Sequence, residues 1–164
     1  MTSLYGVFEY FDYESWQRQR CIPPRADQIE YPEGTIMNYL MLHAPRFAQI
    51  VVRSKYDRRF ADPQGRFTIF LSPYWETLPP DEIERIDVGT AKNIVMNSTI
   101  EGRIRRIDLV TSQDSQLNTL INGVYIHIWR DIRTDILRKD ENESIEQQID
   151  CSNGYIHLLQ PLKM

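Results

Sequence analysis

Two short segments of the sequence repeat the same pattern of residue types. Residues 122–128 read NGVYIHI and residues 153–159 read NGYIHLL, so each places a histidine after an Asn-Gly turn. If His127 and His157 lay on neighbouring strands, they would form an acid–base pair like that of a two-histidine phosphoesterase. Such enzymes carry a hydroxyl residue two positions after each histidine, whereas this chain has tryptophan and leucine there. We therefore predict no catalytic residue and a structural role for both histidines.

The other candidates for metal or cofactor chemistry lack the neighbours that such sites need. The three histidines, which include His43, stand apart from any cluster of Cys, Asp or Glu with metal-ligand spacing. We expect each ring to be partly buried and bonded to a backbone carbonyl or an acid. Acidic clusters at 81–84 and 140–146 lack calcium-loop spacing, and no glycine-rich phosphate loop is present. The sequence predicts neither a metal nor a cofactor.

A basic cluster is formed by Arg103, Arg105 and Arg106. Guanidinium groups bind phosphate and carboxylate well, so this cluster is a candidate patch for an anion or a partner. The alternative is an ordinary exposed strand face, on which arginines contribute little. Fifteen of the 19 basic residues are arginine, a preference that protein interfaces share and that genome composition also produces. Both explanations stay open.

The first 32 residues differ in character from the rest. Six of the chain's eighteen aromatic residues fall within twelve positions there, with neither helical nor alternating spacing. Pro23, Pro24 and Pro32 favour extended backbone. We predict an extended arm over 1–32 that binds a partner protein through aromatic anchors or, alternatively, packs on its own domain. The anchors are Tyr5, Phe8, Tyr10, Phe11, Tyr13 and Trp16.

Composition bounds the class of protein. A chain of 164 residues fits one domain, and 41% hydrophobic with 26% charged residues predicts a globular fold. The net charge of −4 argues against a nucleic-acid binder, and no apolar run is long enough to span a membrane. The N-terminus lacks signal-peptide features, so we expect an intracellular protein. Cys21 and Cys151 are then free thiols, unless an oxidising location joins them.

Helical spacing comes early in the chain and strand signals come late. Helices are predicted at 36–43, 45–52, 79–86 and 90–96. Strands are predicted at 67–71, 103–110, 124–129 and 155–159. The polar stretch 138–148 is predicted to be a loop. This order of elements indicates an α+β fold rather than alternating βαβ units.

The closing segment 152–159, SNGYIHLL, resembles the last motif of fasciclin domains, which runs approximately NGVIHVID. Earlier segments resemble, in the family's order, its opening helices, its first motif, its middle motif and its Thr-Leu-x-Gly turn. They lie at 34–51, 67–80, 91–102 and 119–123. The resemblance implies a fasciclin-like domain over 33–164, in which N-terminal helices pack on a twisted β-sandwich or wedge. It also implies structural roles for the motif residues, which are Pro73, Asn153, Gly154, Ile156 and His157.

Three departures mark the chain as a divergent member. Met96 and Asn97 replace the family's Tyr-His, Tyr74 and Trp75 follow the proline of the first motif, and Gln160 replaces the closing Asp. Adhesion functions attributed to those family positions are therefore not carried over.

We expect a non-enzymatic module for protein–protein interaction, because fasciclin domains are generally adhesion and interaction modules. The aromatic arm and the expected intracellular location favour a component of a larger assembly, such as a minor capsid protein of a virion. The alternative is a secreted or cell-surface adhesion module, which glycosylation at Asn97 and a Cys21–Cys151 disulfide would favour; a second sequon begins at Asn142. A two-histidine enzyme is the third hypothesis.

Overall fold

The computed structural model describes residues 31–111, 114–131, 133–134, 136–139 and 143–161. Helices dominate the first half and strands the second, so the α+β prediction is confirmed. The helices are α1 (Ile36–His43), α2 (Pro45–Ser54), α3 (Asp57–Ala61), α4 (Pro80–Glu84), α5 (Val88–Asn97) and α6 (Arg106–Thr111), with a 3-10 helix at Pro73–Thr77. The strands are β1 (Phe67–Leu71), β2 (Thr99–Glu101), β3 (Asp114–Asn118), β4 (Tyr125–Asp131), β5 (Ile136–Lys139), β6 (Glu143–Cys151) and β7 (Gly154–Pro161).

Local chemistry explains where the first helices begin and end. The Thr35 hydroxyl accepts a hydrogen bond from the backbone N–H of Asn38 at 3.3 Å, which caps the start of α1. α2 begins with Pro45, whose missing N–H costs nothing at the first helical position. α2 stops at Lys55, which adopts a left-handed φ of 69°. The predicted helices at 36–43 and 45–52 are thereby confirmed.

Within the described ranges the strands form one seven-stranded sheet in the order β2-β1-β7-β6-β5-β4-β3. β1 and β7 run parallel, from the Phe67–Gly154 pair to the Leu71–Leu158 pair, and the other neighbours are antiparallel. The last strand in sequence therefore lies inside the sheet, between β1 and β6.

Apolar side chains fill two buried clusters. The first, which we call the helical core, joins the helices to β1 and β7 and contains Ile36, Phe47, Phe60 and Ile69. The second, which we call the sheet core, lies under the later strands. Its members are Phe70, Ile100, Leu109, Ile126, Ile128, Leu137, Ile145 and Leu159. β1 contributes to both clusters, because successive side chains of a strand point to opposite faces.

The strand predicted over 103–110 is wrong, because α6 occupies its second half. Ile107 is 55% exposed whereas Leu109 is 3% exposed. Residues two apart share a face in a strand but lie on nearly opposite faces of a helix, so this difference fits a helix. Asp108 accepts a hydrogen bond from the backbone N–H of Arg105 at 3.3 Å, which satisfies a donor at the helix start.

The loop predicted over 138–148 is also wrong, because residues 138–139 belong to β5 and residues 143–148 belong to β6. Lys139 pairs with Glu143 across the two strands, and their charged groups lie 3.6 Å apart. Ile145 is buried in the sheet core. A β-bulge between Ile145 and Gln147 interrupts the two-residue alternation that would otherwise reveal a strand.

Candidate interaction surface

Asn153 connects the turn before β7 to the helical core. Its side-chain amide donates to the backbone carbonyls of Phe60 and Asp62 at 2.8 and 3.0 Å. Its side-chain oxygen accepts from the backbone N–H of Ile36 at 2.9 Å. Asn153 is fully buried, so these three bonds replace its contacts with water. The residue acts as an internal clamp.

Gly154 and Ile156 occupy positions in β7 that are closely surrounded. A Cβ atom at position 154 would overlap the carbonyl oxygen of Phe67, so only glycine fits there. Ile156 is fully buried and pairs with Ile69 of β1 on one side and Ile149 of β6 on the other. Both residues serve the packing of the sheet interior.

His157 is buried in the middle of β7. Its Nε2 lies 2.8 Å from the carbonyl oxygen of Ile104, and its ring stacks on Phe70 at a centroid distance of 5.1 Å. Because a carbonyl only accepts, Nε2 carries the proton. Burial lowers the pKa of His157, although the hydrogen bond to Ile104 acts in the opposite direction. The ring is therefore neutral near pH 7.

His127 and His157 do not form the pair that a two-histidine enzyme needs. β5 and β6 separate their strands, and three steps between strands amount to about 14 Å. The condition of the two-histidine hypothesis, that the two residues lie on neighbouring strands, is therefore not met. Nε2 of His127 instead lies 2.6 Å from Oδ1 of Asp114 on β3. The prediction of a partly buried His43 is wrong, because this residue is exposed; its ring lies 4.6 Å from that of Tyr39.

The guanidinium groups of the basic cluster all have partners within the chain. Arg103 donates to the Ser152 carbonyl at 2.9 Å. Arg105 forms an ion pair with Asp108 at 3.2 Å, and this bond lowers the pKa of the Asp108 carboxyl. Arg106 donates twice to the Ile145 carbonyl, at 3.0 and 3.1 Å. These bonds fix the α6 region against the ends of β6.

Pro73 begins the 3-10 helix that carries an unforeseen capping residue. Inside this helix the Glu76 carboxylate accepts hydrogen bonds from the backbone N–H groups of Arg46 and Phe47, both at 3.0 Å. α2 has no side-chain cap from the residue before it. Glu76 therefore supplies both hydrogen-bond acceptors and negative charge at the positive end of α2.

Outward side chains of β4 form an aromatic row on the surface of the sheet. The row, which we call the β4 stripe, consists of Tyr125, His127 and Trp129. These residues alternate with Ile126 and Ile128, which are buried in the sheet core. Tyr125 is 57% exposed, and the rings of His127 and Trp129 lie 4.8 Å apart. Exposed aromatic side chains of this kind are enriched at protein interfaces.

Arg138 of β5 holds one end of the β4 stripe in place. Its guanidinium carbon lies 5.5 Å from the centre of the Trp129 ring, within the range of a cation–π contact. The same group forms an ion pair with Asp131 at 3.2 Å. Backbone and side-chain hydrogen bonds, chiefly from Arg133, lower the pKa of the Asp131 carboxyl and keep it charged. These contacts fix the orientation of the Trp129 end of the β4 stripe.

Several predicted features lie outside the described residues. The six aromatic anchors of the arm, Cys21 and Asn142 are among them. Cys151 is a buried free thiol, and burial raises its pKa to about 11. Over the described ranges, no three His, Cys, Asp or Glu side chains form a group that would hold a metal ion. The helices of those ranges are also too short or too polar to cross a bilayer.

The described residues form an α+β module that carries the β4 stripe on its surface. The family model of the fasciclin domain matches residues 43–162, and the chain belongs to this family. Family membership confirms the resemblance predicted from the sequence, and fasciclin domains are typically adhesion or interaction modules. A search of curated proteins finds no matching sequence.

A solved structure shares the fold. It is described as a FAS1 domain pair from the insect cell adhesion molecule fasciclin I. The match has a TM-score of 0.58 and 18% sequence identity over 81% of this chain. This chain spans 52% of that longer one, so the likeness concerns the fold and not the whole adhesion molecule.

The capping role of Glu76 and the exposed aromatic row of β4 were not predicted from the sequence. The β4 stripe could have been predicted from the sequence, because the alternation of aromatic and isoleucine residues in a strand places the rings on one face. No local pattern indicates the capping role of Glu76, because the N–H groups that it caps are 29 and 30 positions away in sequence.

Proposed function

We propose that this protein is a non-enzymatic structural module that joins a larger assembly, such as a minor capsid protein of a virion. In this proposal residues 1–32 are an arm that docks on another protein, and residues 33–164 are a wedge or spacer. The observation that carries the proposal is the concentration of six aromatic residues within twelve positions of the arm. Aromatic side chains bury much area at low entropic cost, which suits a docking segment. The proposed location is inside the cell or in the particle.

The bonding of the body supports an interaction role over catalysis. His157 is buried and neutral, and its donor is bonded to Ile104. The guanidinium groups of Arg103, Arg105 and Arg106 are each hydrogen-bonded within the chain, and that of Arg105 also forms an ion pair with Asp108. These groups stabilise the wedge and leave recognition to other surfaces.

The arm proposal is tested with the full-length chain in cells of its source. A tagged chain is separated into particle-bound and free fractions by density-gradient centrifugation. We expect the wild type in the particle fraction and the variant with all six arm aromatics changed to Ser in the free fraction, still folded by circular dichroism. A matched control changes four exposed apolar residues of the body to Ser and is expected to stay with the particle. These are Leu42, Tyr74, Val88 and Ile107.

Two outcomes contradict the proposal. If the arm variant stays with the particle, the arm is not the docking element. If the wild-type chain is found only as free protein, membership of a large assembly is wrong.

A secreted or cell-surface adhesion module is the second candidate. It is favoured by the solved FAS1 pair, which comes from an insect cell adhesion molecule. The sequon asparagine Asn97 is also exposed at the end of α5, where a glycan has room. Recovery of the chain from the medium, with a mass that falls on deglycosylation and no longer does so in Asn97→Gln, would favour this candidate. Recovery of an unglycosylated chain from the cell interior would contradict it.

A further inference from the structure

The two ends of the sheet differ in how their edges are covered. β2 has three residues, and the backbone N–H of Leu120 donates to the Thr99 carbonyl at 3.1 Å. β3, at the other end, has five residues and pairs with β4 in an unbroken register from Asp114–Trp129 to Asn118–Tyr125. Among the described strands β4 is its one neighbour. The second row of β3 backbone groups thus has no strand partner among the described residues.

The sequence of β3 carries few of the features that block pairing at an edge. Natural edges are often protected by proline, lysine or a bulge. The segment DSQLN contains neither proline nor lysine, and its pairing with β4 has no bulge. Its side chains alternate, with Asp114, Gln116 and Asn118 exposed and the two residues between them half-buried. An added strand would meet a regular ladder.

We propose that β3 pairs with β3 of a second copy of this chain, antiparallel and centred on Gln116, to form a two-fold dimer with a continuous sheet. This register is the antiparallel one that pairs all five residues. It places Asp114 opposite Asn118 of the partner subunit and Gln116 opposite Gln116 of the partner subunit. No two like charges then face each other, and carboxylate–amide and amide–amide pairs can form hydrogen bonds.

Charge also excludes the competing arrangement. A parallel, in-register pairing of two β3 strands brings Asp114 next to Asp114 of the partner subunit, and like charges at neighbouring positions are destabilising. Asp114 already accepts from His127 through Oδ1. Its second oxygen remains on the exposed face, where it can accept from the amide of Asn118 of the partner subunit.

The β4 stripe lies beside the seam in this dimer. Asn118 pairs with Tyr125, and Asp114 pairs with Trp129, on the same exposed face. In the dimer each exposed row therefore runs from Tyr125 through Asn118 to Asp114 and Trp129 of the partner subunit. The β4 stripe is one strand away from the seam on each side, so its aromatic side chains flank the contact between the two β3 strands without crossing it.

The test uses the point where the two-fold axis meets the side chains. Gln116→Glu puts two negative charges opposite each other in the dimer, and Gln116→Lys puts two positive charges there. Each variant alone is expected to raise the dimer dissociation constant at least about tenfold, because opposed like charges are unfavourable at an interface. An equal mixture of the two variants is expected to dimerise again as a heterodimer. Position 116 is exposed, so both variants keep the monomer fold.

Sedimentation equilibrium over a concentration series of the full chain measures these constants, and circular dichroism checks folding. Gln64→Glu and Gln64→Lys, in an exposed turn, are the matched controls and are expected to dimerise like the wild type. The penalty should shrink in 1 M salt, since the Debye length falls to about 3 Å. A wild type that stays monomeric, equal dissociation constants for wild type and Gln116→Glu, or a mixture that does not recover would overturn the proposal. The dimer proposal rests on β3 and not on residues 1–32, so this test and the test of the arm can succeed or fail separately.

Discussion

The side-chain oxygen of Asn153 accepts a hydrogen bond from the backbone N–H of Ile36 across 117 positions of sequence. This single amide joins the turn before the last strand to the first turn of α1. Its N–H groups hold the end of α3 through Phe60 and the following turn through Asp62. The asparagine of the fasciclin closing motif thus determines how helices and sheet meet, which explains its structural role in this chain.

Replacing Asn153 by alanine should destabilise the fold strongly. The change removes three buried hydrogen bonds and leaves their backbone partners unsatisfied, which is expected to lower the free energy of unfolding by about 2–4 kcal/mol. Urea denaturation followed by circular dichroism measures the loss. Asn122→Ala, at an exposed turn, serves as the control and should change stability by less than about 0.5 kcal/mol. Equal effects at both sites would contradict the clamp.

Replacing each of two glycines by alanine should change the stability of the fold in opposite directions. Gly154→Ala forces the backbone of β1 or β7 to move, because the new Cβ overlaps the Phe67 carbonyl oxygen. We expect a loss of more than about 3 kcal/mol, or no folded protein. Gly89→Ala lies in α5 with its nearest neighbour at 3.5 Å and should stabilise the protein by about 0.5–1 kcal/mol. The melting temperatures of both variants, measured by thermal unfolding, test this prediction. Shifts in the same direction would contradict it.

Stability should depend on pH through His157. The pKa of His157 is lower in the folded than in the unfolded chain, mainly because of burial. The unfolded state therefore binds more protons, and folding stability rises with pH in this range. The contribution of His157 is complete above its unfolded pKa of about 6.5 and is lost as the pH falls towards the folded pKa.

Urea midpoints at pH 7.5, 6.5 and 5.5 measure this dependence. The wild type should lose more stability on acidification than His157→Gln, which has no titrating ring. His43→Gln, which changes an exposed histidine, should follow the wild type. Parallel pH profiles for wild type and His157→Gln would show that the buried ring does not contribute.

The Glu76 carboxylate should stabilise α2 from outside the helix. Glu76→Ala removes the acceptors for two N–H groups at the helix start and is expected to cost about 1–2 kcal/mol. Glu84→Ala removes a carboxylate from an exposed position of α4 and should stay within about 0.5 kcal/mol of the wild type. Hydrogen exchange of the Arg46 and Phe47 amides gives a local readout. Unchanged protection of these amides in Glu76→Ala would contradict the cap.

The regular helices and apolar strands of this chain could be predicted from local patterns. Pro45 and Thr35 indicate the starts of helices, and the apolar run 67–71 indicates β1. These patterns are local, because they lie within or directly beside the elements that they predict. Residues 138–148 could not be read in the same way. Their sequence is mostly polar, and the bulge after Ile145 breaks the alternation.

The contacts of the site residues depend on distant partners. The fasciclin closing motif indicated that Asn153 has a structural role, but no nearby sequence pattern predicts that its hydrogen-bond partners are Phe60 and Ile36. Likewise, the arginine cluster looked free in sequence because its acceptors, the carbonyls of Ser152 and Ile145, are supplied by other elements. Only the β4 stripe could have been deduced, since its alternation is local.

The parallel pairing of β1 with β7 has a consequence for biosynthesis. A ribosome delivers β1 long before β7, yet β7 must enter between β1 and β6. Until it does, both of those strands keep an unpaired side and the helical core lacks Ile156. A nascent chain that stops before residue 154 therefore exposes apolar surface of the kind that chaperones and proteases recognise. Early nonsense mutations should yield degraded fragments rather than a smaller working domain.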